Sequence, residues 1–283
     1  MTFLAIIVAL IFSRVWGDSN PLRNDSWFFS LQSTIRGLGF SPSVGFLIYL
    51  GIPVLACLFL LDASESILFG LVWIVLAAGL LLYAFGRGQY ANLVERYRSY
   101  CVTGDFETAS HYAQSVLGME FGDEAIVSAR QVHMAIQREL LYMGYQRWFS
   151  VLFYFVVLGP VGALFYRLLQ LSRLTPERAE AERLLYFADW IPARLLAAGF
   201  ALTGDFLASR DSLVSSVMVP EETAGAVLQT VGRAAIGASD YDDEVLTGFL
   251  AKEAVSETTE LNALLSRSAV SWVVVLSLLV LFL

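Results

Sequence analysis

Lysine is almost missing from the sequence. Lys252 stands alone against seventeen arginines, and 26 acidic residues leave a formal charge of −8. No polybasic stretch exists, so a nucleic-acid partner has no electrostatic footprint and none is expected. Cysteine is nearly as scarce: Cys57, inside an apolar run, and Cys101 build neither a disulfide framework nor a thiolate metal site. The only histidines are His111 and His133, with no HExxH or His-x-Glu spacing, whereas a zinc centre needs at least three protein ligands. No metal site is expected. Lys252 follows no glycine-rich loop, which excludes a P-loop, and no serine lies in a Gly-x-Ser-x-Gly elbow. The residue patterns therefore predict no catalytic residue and no bound cofactor.

Charge is low throughout. Only 16% of the 283 residues are charged and 57% are apolar, where soluble domains carry about 25% charged residues. The solvent this implies is the lipid bilayer. Residues 1–42 combine a short apolar stretch with a polar segment; the stretch lacks a positive flank and a cleavage site, which predicts a retained, membrane-skimming or buried helix. Residues 43–86 hold uncharged runs at 44–61 and 67–85, each close to the roughly 20 residues an α-helix needs to span hydrocarbon, joined by five residues. A transmembrane hairpin is expected. Arg36, Arg87, Arg96 and Arg98 flank its open end and no base lies in its turn, so the positive-inside rule puts the open end in the cytoplasm.

Residues 87–147 read as a polar helical lobe broken at Gly104, Gly118 and Gly122, and 148–169 as a transmembrane or re-entrant segment that Gly159-Pro160 should bend. Residues 170–268 read as an acidic helical lobe, with a cluster at Asp240, Asp242, Asp243 and Glu244, and 269–283 as a short apolar segment. Inside that lobe, 184–203 is hydrophobic yet holds Asp189, Pro192 and Arg194. The two charges cost roughly 5 to 7 kcal/mol on insertion scales, against about 2.4 to 4.8 returned by its Leu, Ile and Phe residues. This stretch is expected to pack on protein or at the interface. The whole is an all-α, polytopic membrane protein with helical extramembrane lobes.

Three constellations stand out. Arg130, His133 and Gln137 share a helix face that could meet an anion beside the membrane; the bland reading is a solvated stripe. Gly159-Pro160-x-Gly162-Ala163 suits close helix packing. Asp189-Trp190-Ile191-Pro192-Ala193-Arg194 buries two charges that need partners or a ligand. The expected ligand-binding set is accordingly Arg130, His133, Asp189 and Arg194, taking an anionic ligand. Thr-Gly-Asp-Phe also occurs twice, at 103–106 and 203–206, where glycine with positive φ would end one helix and aspartate would cap the next.

The stretches at 162–167 (GALFYR) and 189–195 (DWIPARL), the Gly104-Asp105 corner and Trp16-Gly17-Asp18 resemble the CobD/CbiB family of membrane proteins, most closely its AmpE branch. The resemblance implies a multi-pass protein of the bacterial inner membrane. The family's enzymes are ATP- and magnesium-dependent synthases forming an amide with an aminopropanol phosphate, while the AmpE branch is associated with β-lactamase induction. The enzymes carry Asn and Asp on the helix before the small-residue segment, where this chain reads ELLYMGYQRWFS over 139–150. Carboxylates are what such chemistry needs to hold magnesium and phosphates. A regulatory or sensory, non-catalytic protein tied to cell-wall-fragment recycling is therefore expected, with a synthase of altered substrate as the alternative.

Overall fold

The computed structural model describes residues 1–16, 24–85, 89–119, 128–238 and 248–282. Gly17, Asp18, Arg87, Gly122 and the acidic cluster at 240–244 lie outside them. Helices are the only regular structure among the described residues: α1 (Thr2–Trp16), α2 (Ser26–Gly37), α3 (Pro42–Ser64), α4 (Leu71–Ala84), α5 (Gln89–Thr103), α6 (Phe106–Tyr112), α7 (Ala129–Ser172), α8 (Arg178–Thr203), α9 (Phe206–Met218), α10 (Ala224–Ala235) and α11 (Gly248–Phe282). Four stretches, Pro42–Ser64, Ala129–Ser172, Arg178–Thr203 and Ala251–Leu279, are long and apolar enough to cross a membrane. The chain is an all-α membrane protein.

It divides into two compact units, each assembled from separate stretches of chain. The apolar unit takes residues 1–87, 147–192 and 273–283. In it α1 packs on α4, with Ala5 and Ala9 fully buried, and α2 packs on α3, where Phe28 meets Tyr49 edge to face at 5.5 Å. α3 starts at Pro42, whose fixed φ suits the first helical position. The second apolar run of the expected hairpin is not one helix. Its first residues form a 3₁₀ turn, Ile67–Gly70, because Gly70 takes a left-handed φ of 81° before α4 begins.

α7 breaks at Gly159, where φ 74° and ψ −169° lie in a region open essentially to glycine alone. The break is a sharp corner. The Tyr154 and Tyr166 rings stack at 5.1 Å, although residues twelve apart on a straight helix lie about 18 Å apart. A Cβ on Gly162 would meet the Tyr154 carbonyl oxygen at 2.5 Å, so the chain after the corner lies directly on the chain before it. The bend expected from Gly159-Pro160 is present, with Pro160 opening the second arm.

The polar unit takes residues 88–146 and 193–272. Its core gathers Leu93, Tyr97 and Cys101 of α5, Phe106 and Ala109 of α6, Val132, Ile136 and Leu140 of α7, and Ala254 of α11. α10 packs on α9 and buries Val227, Leu228, Val231 and Ala235. The two Thr-Gly-Asp-Phe corners lie here and are alike only in part. Asp105 accepts the Thr108 amide at 3.0 Å and Asp205 the Ala208 amide at 3.1 Å, so both aspartates cap the following helix as expected. Gly104 has φ 69°, but Gly204 does not take a positive φ. Gly204 is required by contact instead: a Cβ there would lie 2.6 Å from the Ala235 carbonyl oxygen, which accepts the Asp205 amide at 2.8 Å.

Sequence boundaries also fall differently in two places. The polar segment before 147 and the apolar one after it belong to a single helix arm of α7, and the apolar run from 269 is the end of α11 rather than an element of its own. Nothing at either boundary breaks a helix; only the side-chain polarity changes.

Candidate functional site

A charged network lies inside the polar unit, built on four helices. α7 contributes His133 and Gln137, one turn apart on one face. α5 contributes Tyr97, α10 contributes Gln229 and Arg233, and α11 contributes Glu257. All six are buried. The Tyr97 hydroxyl lies 2.6 Å from His133 Nδ1. Burial raises the Tyr97 phenol well above its ordinary value of 10.0, so it keeps its proton beside the ring. On the other side of the ring, His133 Nε2 lies 3.2 Å from Glu257 Oε2.

Gln137 donates to the same carboxylate oxygen at 3.2 Å, and Arg233 Nη2 donates to Glu257 Oε1 at 3.3 Å. Gln229 closes the ring by donating to Gln137 Oε1 at 3.3 Å and to the Met134 carbonyl at 2.6 Å, and Arg233 also reaches the Met134 sulfur. One carboxylate thus collects a guanidinium, an imidazole and an amide. That saturation is what permits a buried charge at all. Beside it Arg130, His133, Met134, Arg233, Glu253, Ala254 and Glu257 line a recess of about 10 Å³, the size of one water.

The four residues expected to bind a ligand fall as follows. Arg130 and His133 come together at this recess. Arg194, also in the polar unit, is buried and donates from Nε to the Ser216 carbonyl at 2.9 Å and from Nη2 to the Val219 carbonyl at 3.3 Å. It thereby holds the C-terminal end of α9, where unpaired carbonyls carry the negative pole. Asp189 belongs to the apolar unit, where it is 1% exposed and accepts the Tyr166 hydroxyl at 2.6 Å, while Tyr154 donates to the Ala188 carbonyl at 2.7 Å. Both charges of the 189–194 segment are buried with protein partners, in keeping with its expected packing on protein.

Sequence spacing pointed to Arg130, His133 and Gln137 but missed Tyr97, Gln229, Arg233 and Glu257. α10 did hold a signal: Gln229 and Arg233, one turn apart, interrupt a stripe of Val227, Leu228 and Val231 that faces the core. For Tyr97 and Glu257, 36 and 124 residues from His133, no local pattern exists.

These observations define an all-helical membrane protein whose polar unit is organised around a saturated, buried charge network. Compared with known proteins, the chain matches the family described as "Regulatory signalling modulator protein AmpE" over residues 1–282, and it belongs to the AmpE family. No curated protein and no solved structure matches it.

Proposed function

We propose that the protein is a multi-pass regulatory or sensory protein of the bacterial inner membrane, linked to β-lactamase induction and cell-wall-fragment recycling, and that it works without catalysis. Membership of a family of regulatory signalling modulators carries the regulatory reading. The network supports the non-catalytic one: both oxygens of Glu257 are engaged by the protein's own donors, beside a recess with room for about one water. A placement among CobD/CbiB-like proteins rests on the stretches at 162–167 and 189–195. The network's helices suit a sensor, since α7 and α11 each continue from network residues into an apolar stretch. An anionic fragment or nucleotide would be met outside the one-water recess, at the half-exposed Arg130 on its rim.

The test is β-lactam-induced β-lactamase expression in a strain lacking the gene, complemented with the wild type, with Glu257→Gln or with Arg130→Ala. The reading expects altered induction without the gene, restored by the wild type and not by a variant that still accumulates. Unchanged induction in all strains overturns it. Magnesium-dependent stabilisation of the purified protein by ATP, with condensation of a corrinoid acid and an amino alcohol phosphate, would instead establish the synthase.

A further inference from the structure

A second cavity, in the apolar unit, holds opposite charges that do not close on each other. It measures about 220 Å³ and lies between the α2 to α3 connection and the start of α8. On α2, Gln32 and Arg36 are one turn apart and both line it; on the other side Glu177 precedes α8 and Glu180 lies in its first turn. Gln32 donates to Glu177 Oε2 at 3.0 Å, and Tyr49, behind them, meets Thr175 at 3.3 Å. Glu177 is only 7% exposed.

Among the described residues no basic side chain forms an ion pair with Glu177 or Glu180, and Arg36 is not paired with either. Among the described residues, a carboxylate this buried has a neutral amide donor in Gln32 and no ion-paired cation to repay its lost hydration. Arg36, exposed on α2, lines the same cavity without an ion pair to either carboxylate. Ser41 and Pro42 also line the cavity and open α3, whose first turn presents a positive pole.

We propose that this cavity binds a small zwitterion of the amino-acid class, with its ammonium on Glu177, Glu180 and the Gln32 side-chain oxygen and its carboxylate on Arg36. An ammonium brings three donors to a wall of acceptors, and a guanidinium offers a carboxylate a planar fork. A cavity of this size takes a small amino acid and excludes a nucleotide or a disaccharide. The assignment is independent of the network in the polar unit.

The experiment titrates the full chain, in phosphatidylcholine nanodiscs, with glycine and alanine by calorimetry, using ethanolamine and propionate as half-ligands. Saturable binding of an amino acid is expected, tighter than either half-ligand and weakened at least about tenfold by Glu177→Gln and by Arg36→Gln, with the exposed Arg98→Gln unaffected. Glu177→Gln keeps an acceptor for Gln32; should it aggregate, Glu180→Gln carries the same expectation from a half-buried position. Absence of amino-acid binding, equal binding by Glu177→Gln, or ethanolamine binding as tightly as alanine overturns the proposal. So does stabilisation by phosphatidylethanolamine nanodiscs with no response to free amino acids, which would mark a lipid headgroup site.

Discussion

Glu257 decides how much of the polar unit's charge can stay buried, since His133, Gln137 and Arg233 all end on its carboxylate. Glu257→Ala should cost about 3 to 5 kcal/mol, because it strands a guanidinium in the core, and Glu257→Gln much less. Thermal unfolding of the purified variants in detergent checks the order. Arg194→Ala removes two charged hydrogen bonds to the end of α9 and should cost about 1.5 to 3 kcal/mol by the same measurement, with Arg194→Lys intermediate. Cys101, in the same core as Tyr97, has its thiol pushed up to about 11 by burial. At pH 8 a maleimide should leave it unmodified until the protein is denatured, as read by mass spectrometry. Both shifts favour the protonated forms in the fold. Their stabilisation is complete below the unfolded values and is lost as pH rises; for Cys101 that window runs from 9.0 to about 11. His133 was legible because three polar residues shared a helix face. Its partners were not, because a carboxylate 124 residues away leaves no trace in local periodicity.

Two glycines in identical tetrapeptides separate at the level of the helix ends. Gly104 is needed for its left-handed φ of 69°, with nothing nearer to a built Cβ than Ala251 at 3.8 Å, whereas Gly204 is needed because Ala235 backbone lies 2.6 Å from that Cβ. Gly104→Asn should be nearly neutral, since asparagine tolerates that region, and Gly104→Ala should cost about 1 to 2 kcal/mol. Gly204→Asn and Gly204→Ala should both cost about 1 to 3 kcal/mol through overpacking. Melting temperatures of the four variants distinguish strain from crowding. The tetrapeptide announced two corners, but the neighbour that makes Gly204 necessary is on α10, out of reach of any pattern along α8. At Gly159 sequence and structure agree more closely, because a Gly-Pro pair inside an apolar run has few other uses. Gly159→Ala should abolish accumulation in membranes, which immunoblotting of membrane fractions would show.

For the whole molecule, composition and run length were enough to read an all-α membrane protein, since hydrocarbon admits few other backbones. They overstated its regularity: the hairpin's second run contains a 3₁₀ turn, and the 269–283 segment is the end of a much longer helix. The arginine distribution still predicts a side. A cysteine at Ser66, exposed beyond the end of α3, should react with an impermeant maleimide in intact spheroplasts, and one at Arg98 only after lysis. The reverse pattern would turn the protein over. The division into units bears on how the protein is made. Neither unit is a continuous stretch, and the apolar one draws its last contribution from 273–283, after the whole of the polar unit has been translated. A ribosome therefore releases α3 and α4 long before their last companions exist. The early helices of that unit must wait incomplete until synthesis ends, the interval in which exposed apolar surface invites misassembly.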